Sequence, residues 1–362
     1  MTFQGILELE GGRAAFIRTR SLTIAKKQND PFVTSSLIET YNLREGVFIE
    51  GDAEEQRGKG PKVRTLSRVN GVTPEVWRGL LELSQHEPIS PHEPLRLEGP
   101  GVDVAMRLVS LFCPIGKGQR ALIVSPPKAG KTILLQQLAH AISTYNATVD
   151  LIMLLVDERP EELTEMKRAI RGEVFGSSSD TERGNQVRLA QLVLEYAKRK
   201  VETGKDVVLL LDSLTRLGRA FNIHQRGSGR TMSGGVDARA LEIPKRIFGA
   251  ARKLENAGSL TIIATALIET NSRMDELIFQ EFKGTGNMEL VLDRKLAEER
   301  LFPAMNLGLS GTRREELLFG SEASRHQNLR RSLARLNPRE ALQAALRLTG
   351  QFATNEQLLG KF

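Results

Sequence analysis

ALIVSPPKAGKT, residues 121–132, decides the fold of this chain. The run ALIVS is apolar almost throughout, as expected of a strand buried on both faces. The chain then turns, and KTILLQQLAHAIST follows with Leu134, Leu135, Leu138, Ala141 and Ile142 on one helical face. A Gly-Lys-Thr turn between a buried strand and an amphipathic helix is the setting in which backbone amides cradle phosphates. Gly130 lets the backbone approach closely, and the helix N-terminus aims N–H groups and partial positive charge at the anion. Lys131 is placed to reach the β- and γ-phosphates of ATP, and the Thr132 hydroxyl to ligate Mg²⁺. Ser125 stands where such loops usually carry a first glycine, so the loop is a variant.

Outward from the loop, DLIMLLV, DVVLLLD and SLTIIATAL are further continuous apolar runs separated by helical segments such as NQVRLAQLVLEYAKRKVET. Strands alternating with helices predict an α/β domain with a parallel sheet from about residue 106. Asp212 ends one such run. A carboxylate there can hold Mg²⁺ at the sheet's functional edge, although Asp-Ser-Leu-Thr-Arg would equally serve as a helix cap. Glu158, in VDERPEE just past the strand 150–156, can orient and deprotonate an attacking water. Taken alone it is as readily an acidic helix start, with Pro160 in the first turn. The adjacent Asp157 side chain should diverge from it.

The first 72 residues read differently. GILELE, AAFIR, FVTSS, GVFIEGD and KVRTLSRVN are short strands punctuated by Gly, Asp, Asn and Pro, which predicts a small antiparallel barrel. Residues 73–105 read as a connector, and the Arg- and Leu-rich tail from about 320 as helical. The length of 362 residues suits two or three domains, and the net charge of +7 fits an anionic partner. The lone Cys113 excludes a disulfide framework and reads as a small core residue. The five histidines lack metal-ligand spacing. With no signal-peptide pattern and no apolar run of about 20 residues, a cytoplasmic protein without a membrane partner is expected.

These motifs lie within longer ones: CPIGKGQRALIVSPPKAGKT, LLVDERPEELTEMKR, DVVLLLDSLTRLGRAFN, SGGVDARAL, PKRIFGAARKLE, GSLTIIATALIET, EFKGTGNMEL and SGTRREELL. In this order they resemble the Rho family of transcription termination factors, hexameric RNA-dependent ATPases and helicases, over nearly the whole chain. The resemblance implies a RecA-type P-loop ATPase domain after an oligonucleotide-binding (OB-fold, cold-shock-like) barrel, acting on the nascent transcript and releasing it from RNA polymerase. It implies that ATP is lined by Gly116, Lys117, Gly118, Gln119, Arg120 and Ala121, by Lys128, Ala129, Gly130, Lys131, Thr132 and Ile133, and by Arg159, Arg216 and Phe302. Phe302 would stack on adenine; taken alone it reads as a core phenylalanine. Lys131, Asp212, Glu158 and Arg313 carry the chemistry, Arg313 as an arginine finger donated to the next subunit and Arg300 as a sensor of that interface.

Two RNA sites are implied as well. The primary site in the barrel falls on Phe16, Ile17, Arg18, Asp30, Phe32 and Lys62, with bases stacked on aromatics beside basic groups. The family's neighbouring aromatic falls at Ala14, and Pro61-Lys62-Val63 offers none where an Arg-Tyr pair is expected. Weakened or altered primary binding follows. The secondary site falls on Arg230, Thr231, Met232, Ser233, Gly234 and Gly235 within RGSGRTMSGGV, and on Arg273, where the family has lysine. On composition alone both segments read as surface loops.

Overall fold

The computed structural model describes residues 1–362 except 12–13, 57–58, 100, 225–234 and 238. Five strands, β1 (Thr2–Glu10), β2 (Ala14–Arg18), β3 (Phe32–Val33), β4 (Phe48–Gln56) and β5 (Lys59–Val69), close into a barrel in the order β1-β2-β3-β5-β4. Its interior is Leu7, Ala15, Ile17, Val33, Ile49, Val63 and Val69, all buried. Alternation inward and outward is what a strand period of two produces. The expected strand FVTSS is cut short, because the Thr34 hydroxyl accepts from Leu37 N–H and caps a helix over Ser35–Tyr41.

The stretch after the barrel is anchored at both ends. Trp77 joins the barrel core and donates its indole N–H to the Asn42 carbonyl at 3.2 Å. Further on, β6 (Pro88–Ile89) pairs with β11 (Arg252–Leu254), which pairs with β12 (Ser259–Leu267) of the second domain.

That domain is built on β7 (Arg120–Ser125), β8 (Val149–Glu158), β9 (Glu173–Ser178), β10 (Asp206–Asp212), β12, β13 (Met288–Val291) and β14 (Gly311–Thr312), in the spatial order β14-β13-β7-β12-β10-β8-β9. All neighbours from β13 to β9 are parallel; β14 is antiparallel to β13. Buried apolar residues pack on both faces of the sheet, as both faces of a parallel sheet must be covered. Cys113 lies fully in this core, where burial pushes its thiol up and leaves it inert. Helices over Ala323–Leu333, Pro338–Gln351 and Asn355–Leu359 form the tail. Among the described residues no helix is long and apolar enough to cross a membrane.

Candidate ATP site and nucleic-acid interface

The C-terminal ends of β7, β12, β10 and β8 come together in one row. After Ser125 the loop turns through Lys128 (φ 65°) and Gly130 (φ 89°), and Gly130 opens the helix Lys131–Tyr145. A left-handed conformation at this turn is why glycine stands there. From this turn Lys131 Nζ reaches Asp212 at the end of β10, 2.5 Å from Oδ1 and 2.6 Å from Oδ2. Asp212 Oδ1 also accepts from the Thr265 hydroxyl at 2.7 Å. Thr265 lies on β12, the strand between β7 and β10. SLTIIATAL carries both Thr261 and Thr265, and only the strand order shows which of them meets Asp212.

Glu158 ends β8, the next strand, and is 2 % exposed. Asp157 and Glu158 diverge. Asp157 (φ 59°) turns its carboxylate to Arg183 (2.7 Å) and Gln186 (3.2 Å). Arg216 Nη1 lies 2.5 Å from Glu158 Oε2 and donates instead to the Asp157 carbonyl at 2.6 Å, so it pairs with Glu158 as an ion without an aligned hydrogen bond. Burial first, then contact with Glu162 and the charge of Asp212, push the Glu158 carboxyl up to about 8 against the pull of Arg216 and Lys131. A carboxyl so placed beside the phosphate loop suits a general base that becomes competent as it ionises. Arg159 is exposed at the start of the following helix.

A cavity of about 330 Å³ adjoins the loop, lined by Ala129, Gly130, Ile133, Gln137, Leu292 and Phe302 among others. Phe302 is 46 % exposed. A large apolar ring half open to a cavity beside phosphate-binding amides is suited to stacking a base. Phe302→Ala is expected to raise the KM for ATP roughly 5- to 100-fold, from about 1–3 kcal/mol per stacked base, with kcat little changed; steady-state kinetics check it.

The residues here that could hold a divalent cation are Asp212, through its carboxylate, and Thr132, through its hydroxyl. Among the described residues no group of three His, Cys, Asp or Glu gathers to hold a metal alone. Hard oxygen donors this few suit Mg²⁺, which is usually held by one or two carboxylates together with substrate phosphates.

The stretch Gly116–Ala121 does not join this pocket, which corrects the expectation that it lines the same nucleotide as Lys128–Ile133. It lies at the opposite end of β7, roughly 17 Å away for a strand of that length. Gly118 (φ 90°) is pressed on β11, where a Cβ would fall 2.2 Å from Lys253 N. Lys117 pairs with Asp206 (2.7 Å) and Glu93 (3.0 Å), and Gln119 is 1 % exposed. Arg313 is at this same far end: Thr312 pairs with Met288, which pairs with Ala121 at the start of β7. Arg313 is exposed. The intervening strand keeps it from its own phosphate loop. Arg300, exposed at φ 60°, precedes Leu301 and Phe302 near the pocket.

On the barrel, strand register sets Phe16 beside Phe32 and Phe32 beside Lys62 in one outward row across β2, β3 and β5. The two rings meet edge to face at 5.7 Å between centroids. Three other expected contacts are corrected. Ile17 is 2 % exposed in the barrel core. Arg18 and Asp30, 3 % and 4 % exposed, are spent on each other at 2.8 Å, with Arg18 Nε also on Glu8 at 2.5 Å and Arg18 on Glu10. Arg18 thus backs Phe16, with its guanidinium 4.9 Å from the ring centroid.

Glu8 in turn receives Arg188 of the helix Arg183–Glu202, which also donates to the Ile24 carbonyl at 2.9 Å. Burial alone would raise the Glu8 carboxyl; Arg188 and Arg18 outweigh it and hold it below its usual range. This network therefore contributes stability above the unfolded carboxylate range, lost as pH falls through the depressed Glu8 value. Arg18→Met strands buried carboxylates and is expected to cost about 3–5 kcal/mol, read as a lowered denaturation midpoint. An RNA-affinity loss without destabilisation would contradict this placement.

Of the second RNA site, Arg230, Thr231, Met232, Ser233 and Gly234 lie outside the described residues. Gly235 (φ 78°) follows them, its carbonyl accepting from Asn222 at 3.1 Å. Arg273 is exposed at the first turn of the helix Arg273–Lys283.

Comparison with known proteins accounts for this arrangement. The nucleotide-binding domain of the ATP synthase alpha/beta family matches residues 105–312, and the Rho termination factor RNA-binding domain matches residues 3–75. Transcription termination factor Rho of Borreliella burgdorferi is 46 % identical over 361 residues, covering 99 % of this chain and 70 % of that protein. That of Neisseria gonorrhoeae is 46 % identical over 360 residues, covering 98 % and 85 %. Against that of Streptomyces lividans identity is 48 %, and the chain spans only about half of that protein, 51 %. Among solved structures, a prototypical ATPase from the type III secretion system of pathogenic bacteria superposes with a TM-score of 0.60 at 25 % identity, covering 78 % of this chain and 76 % of that one. Its likeness supports the ATPase fold. With near-complete coverage at this identity, and both domains matched in order, the chain belongs to the transcription termination factor Rho family.

Proposed function

We propose that this chain is an ATP-driven translocase of single-stranded RNA and an RNA–DNA helicase, working as a hexameric ring that releases the nascent transcript from RNA polymerase. One observation carries the reading: the groups suited to ATP chemistry are divided between the two ends of one sheet. Lys131, Asp212, Glu158 and Phe302 gather at one end, and Arg313 stands exposed at the other. In a head-to-tail ring each Arg313 would face the next subunit's phosphates. There it would stabilise charge on the departing phosphoryl oxygens.

The remaining roles follow from position. Lys131 gives up its bond to Asp212 to hold the phosphates, freeing the carboxylate. Bound there by Asp212 and Thr132, Mg²⁺ would neutralise phosphate charge. Glu158 takes a proton from the attacking water onto its carboxylate, and Arg216, 2.5 Å away, favours the ionised form. Coupling to RNA runs through the helix Leu214–His224. It starts two residues after Asp212, carries Arg216, and leads directly into the segment 226–236. Its Arg219 donates to Asp275 at 2.8 Å, and Asp275 also accepts from Thr270 at 2.6 Å. A shift at Asp212 or Glu158 is thereby communicated to both RNA loops.

ATP turnover measured without nucleic acid, with a panel of homopolymer RNAs, and with matched DNA tests this. Strong stimulation by RNA over DNA is expected. Turnover indifferent to RNA would sink the translocase reading. It would favour a second one, an ATP-gated clamp on RNA or RNA polymerase, which the short aromatic row of Phe16 and Phe32 already favours to a degree.

A further inference from the structure

We propose that Asn287 is the positioning residue for the Arg313 finger, acting through a clamp with Gln119. This rests on the finger role proposed above and extends it to the residues that aim the finger. Arg313 follows the two-residue strand β14 and precedes the short helix Glu316–Phe319, outside either element. Its backbone N–H donates to the Asn287 carbonyl at 2.9 Å. That same carbonyl accepts from Gln119 Nε2 at 3.1 Å. Asn287 Oδ1 accepts from Gln119 Nε2 at 2.7 Å and from Arg120 N–H at 2.9 Å, and Asn287 N–H donates to the Arg120 carbonyl at 3.0 Å. Five hydrogen bonds therefore converge on one asparagine just before β13 and lock the finger's backbone to the start of β7. Gln119 is nearly fully buried, which makes the clamp rigid.

The surroundings suit this role. Arg120 donates to the carbonyls of Thr285 (3.0 Å) and Ala251 (3.1 Å) and Arg252 to that of Ala250 (3.1 Å), and among the described residues neither pairs with a carboxylate. Burial, then the charges of Arg252 and Arg313, pull the Arg120 guanidinium down, which marks the three cations as close neighbours. Like charge behind Arg313 favours a side chain extended outward. The asparagine clamp thus sets where the finger's backbone sits, and the cations set which way it points. Because β7 also ends in the phosphate loop, the two halves of successive sites are registered on one strand.

The test is a double-mutant cycle on the assembled full chain, with RNA-stimulated ATP turnover as readout. Asn287→Ala is expected to lower kcat about 10- to 100-fold, the cost of displacing a group by about an ångström, with the KM for ATP within about threefold. In an Arg313→Ala background the same substitution should cost nothing further, because its effect passes through that side chain. A merely structural role would lower turnover by the same factor in both backgrounds and would overturn the proposal, as would full activity of Asn287→Ala. If Arg313→Ala itself keeps full turnover, the finger reading fails and the proposal with it, a distinct result. Should Asn287→Ala not assemble, Gln119→Met, which removes both donors while keeping bulk, carries the same cycle and the same outcomes.

Discussion

Arg313→Ala is expected to lower RNA-stimulated ATP turnover by about 10³- to 10⁵-fold, the range an arginine finger supplies in phosphoryl transfer. Binding of a fluorescent ATP analogue should change far less than turnover, because the finger acts chiefly on charge that develops as the phosphoryl group departs. Mixing gives the decisive form of the experiment. Lys131→Ala subunits retain a finger but lose phosphate binding; Arg313→Ala subunits retain the phosphate loop but lose the finger. Mixed rings contain junctions where an intact loop meets an intact finger, so turnover should return from two inactive preparations. No recovery, with mixed assembly verified, would mean that the two ends of the sheet do not form one site across a subunit boundary.

Glu158→Gln is expected to lower turnover about 10²- to 10⁴-fold, the usual worth of a general base, with nucleotide affinity kept. Its pH signature separates it from a merely electrostatic role. Burial holds the Glu158 carboxyl up to about 8, so at pH 7 most of it is protonated and unable to accept a proton. kcat/KM should therefore rise with pH through about 8 and level off above it. The glutamine variant should lack that limb. A wild-type profile flat between pH 6 and 9 would contradict the assignment. The same shift carries a stability sign: a carboxylate whose folded value is raised is destabilising once ionised, so its contribution worsens as pH rises through that value.

Much of this was legible in sequence because the signals are local. A run such as VVLLL must be buried on both faces, and a residue ending such a run stands at the sheet's edge, so the position of Asp212 is legible in sequence, while Glu158, two residues past its run, reads equally as a helix start. Gly130 before Lys131 announces its own left-handed turn. In the barrel, alternation found the strands but not the fate of Arg18. Whether an arginine faces RNA or three carboxylates depends on which strands become neighbours: Glu8 and Glu10 come from β1, and Asp30 from the stretch before β3. Phe16 and Phe32 were likewise named separately, and only register made them a pair.

By itself, then, the sequence determined an α/β nucleotide-binding domain behind a small barrel, together with the phosphate loop, because these follow from short-range periodicity and turn chemistry; read alone, Asp212 and Glu158 fitted helix starts as well as a site. Tertiary structure alone decided the strand order β13-β7-β12-β10-β8. That order sets Thr265 against Asp212, brings Glu158 next to it, and sends Gly116–Ala121, Asn287 and Arg313 to the far end of the same strands. Parallel strands joined by long crossovers can be arranged in many orders without changing a single local pattern. Only packing the helices over both faces of the sheet selects one, and with it which distant residues share an edge.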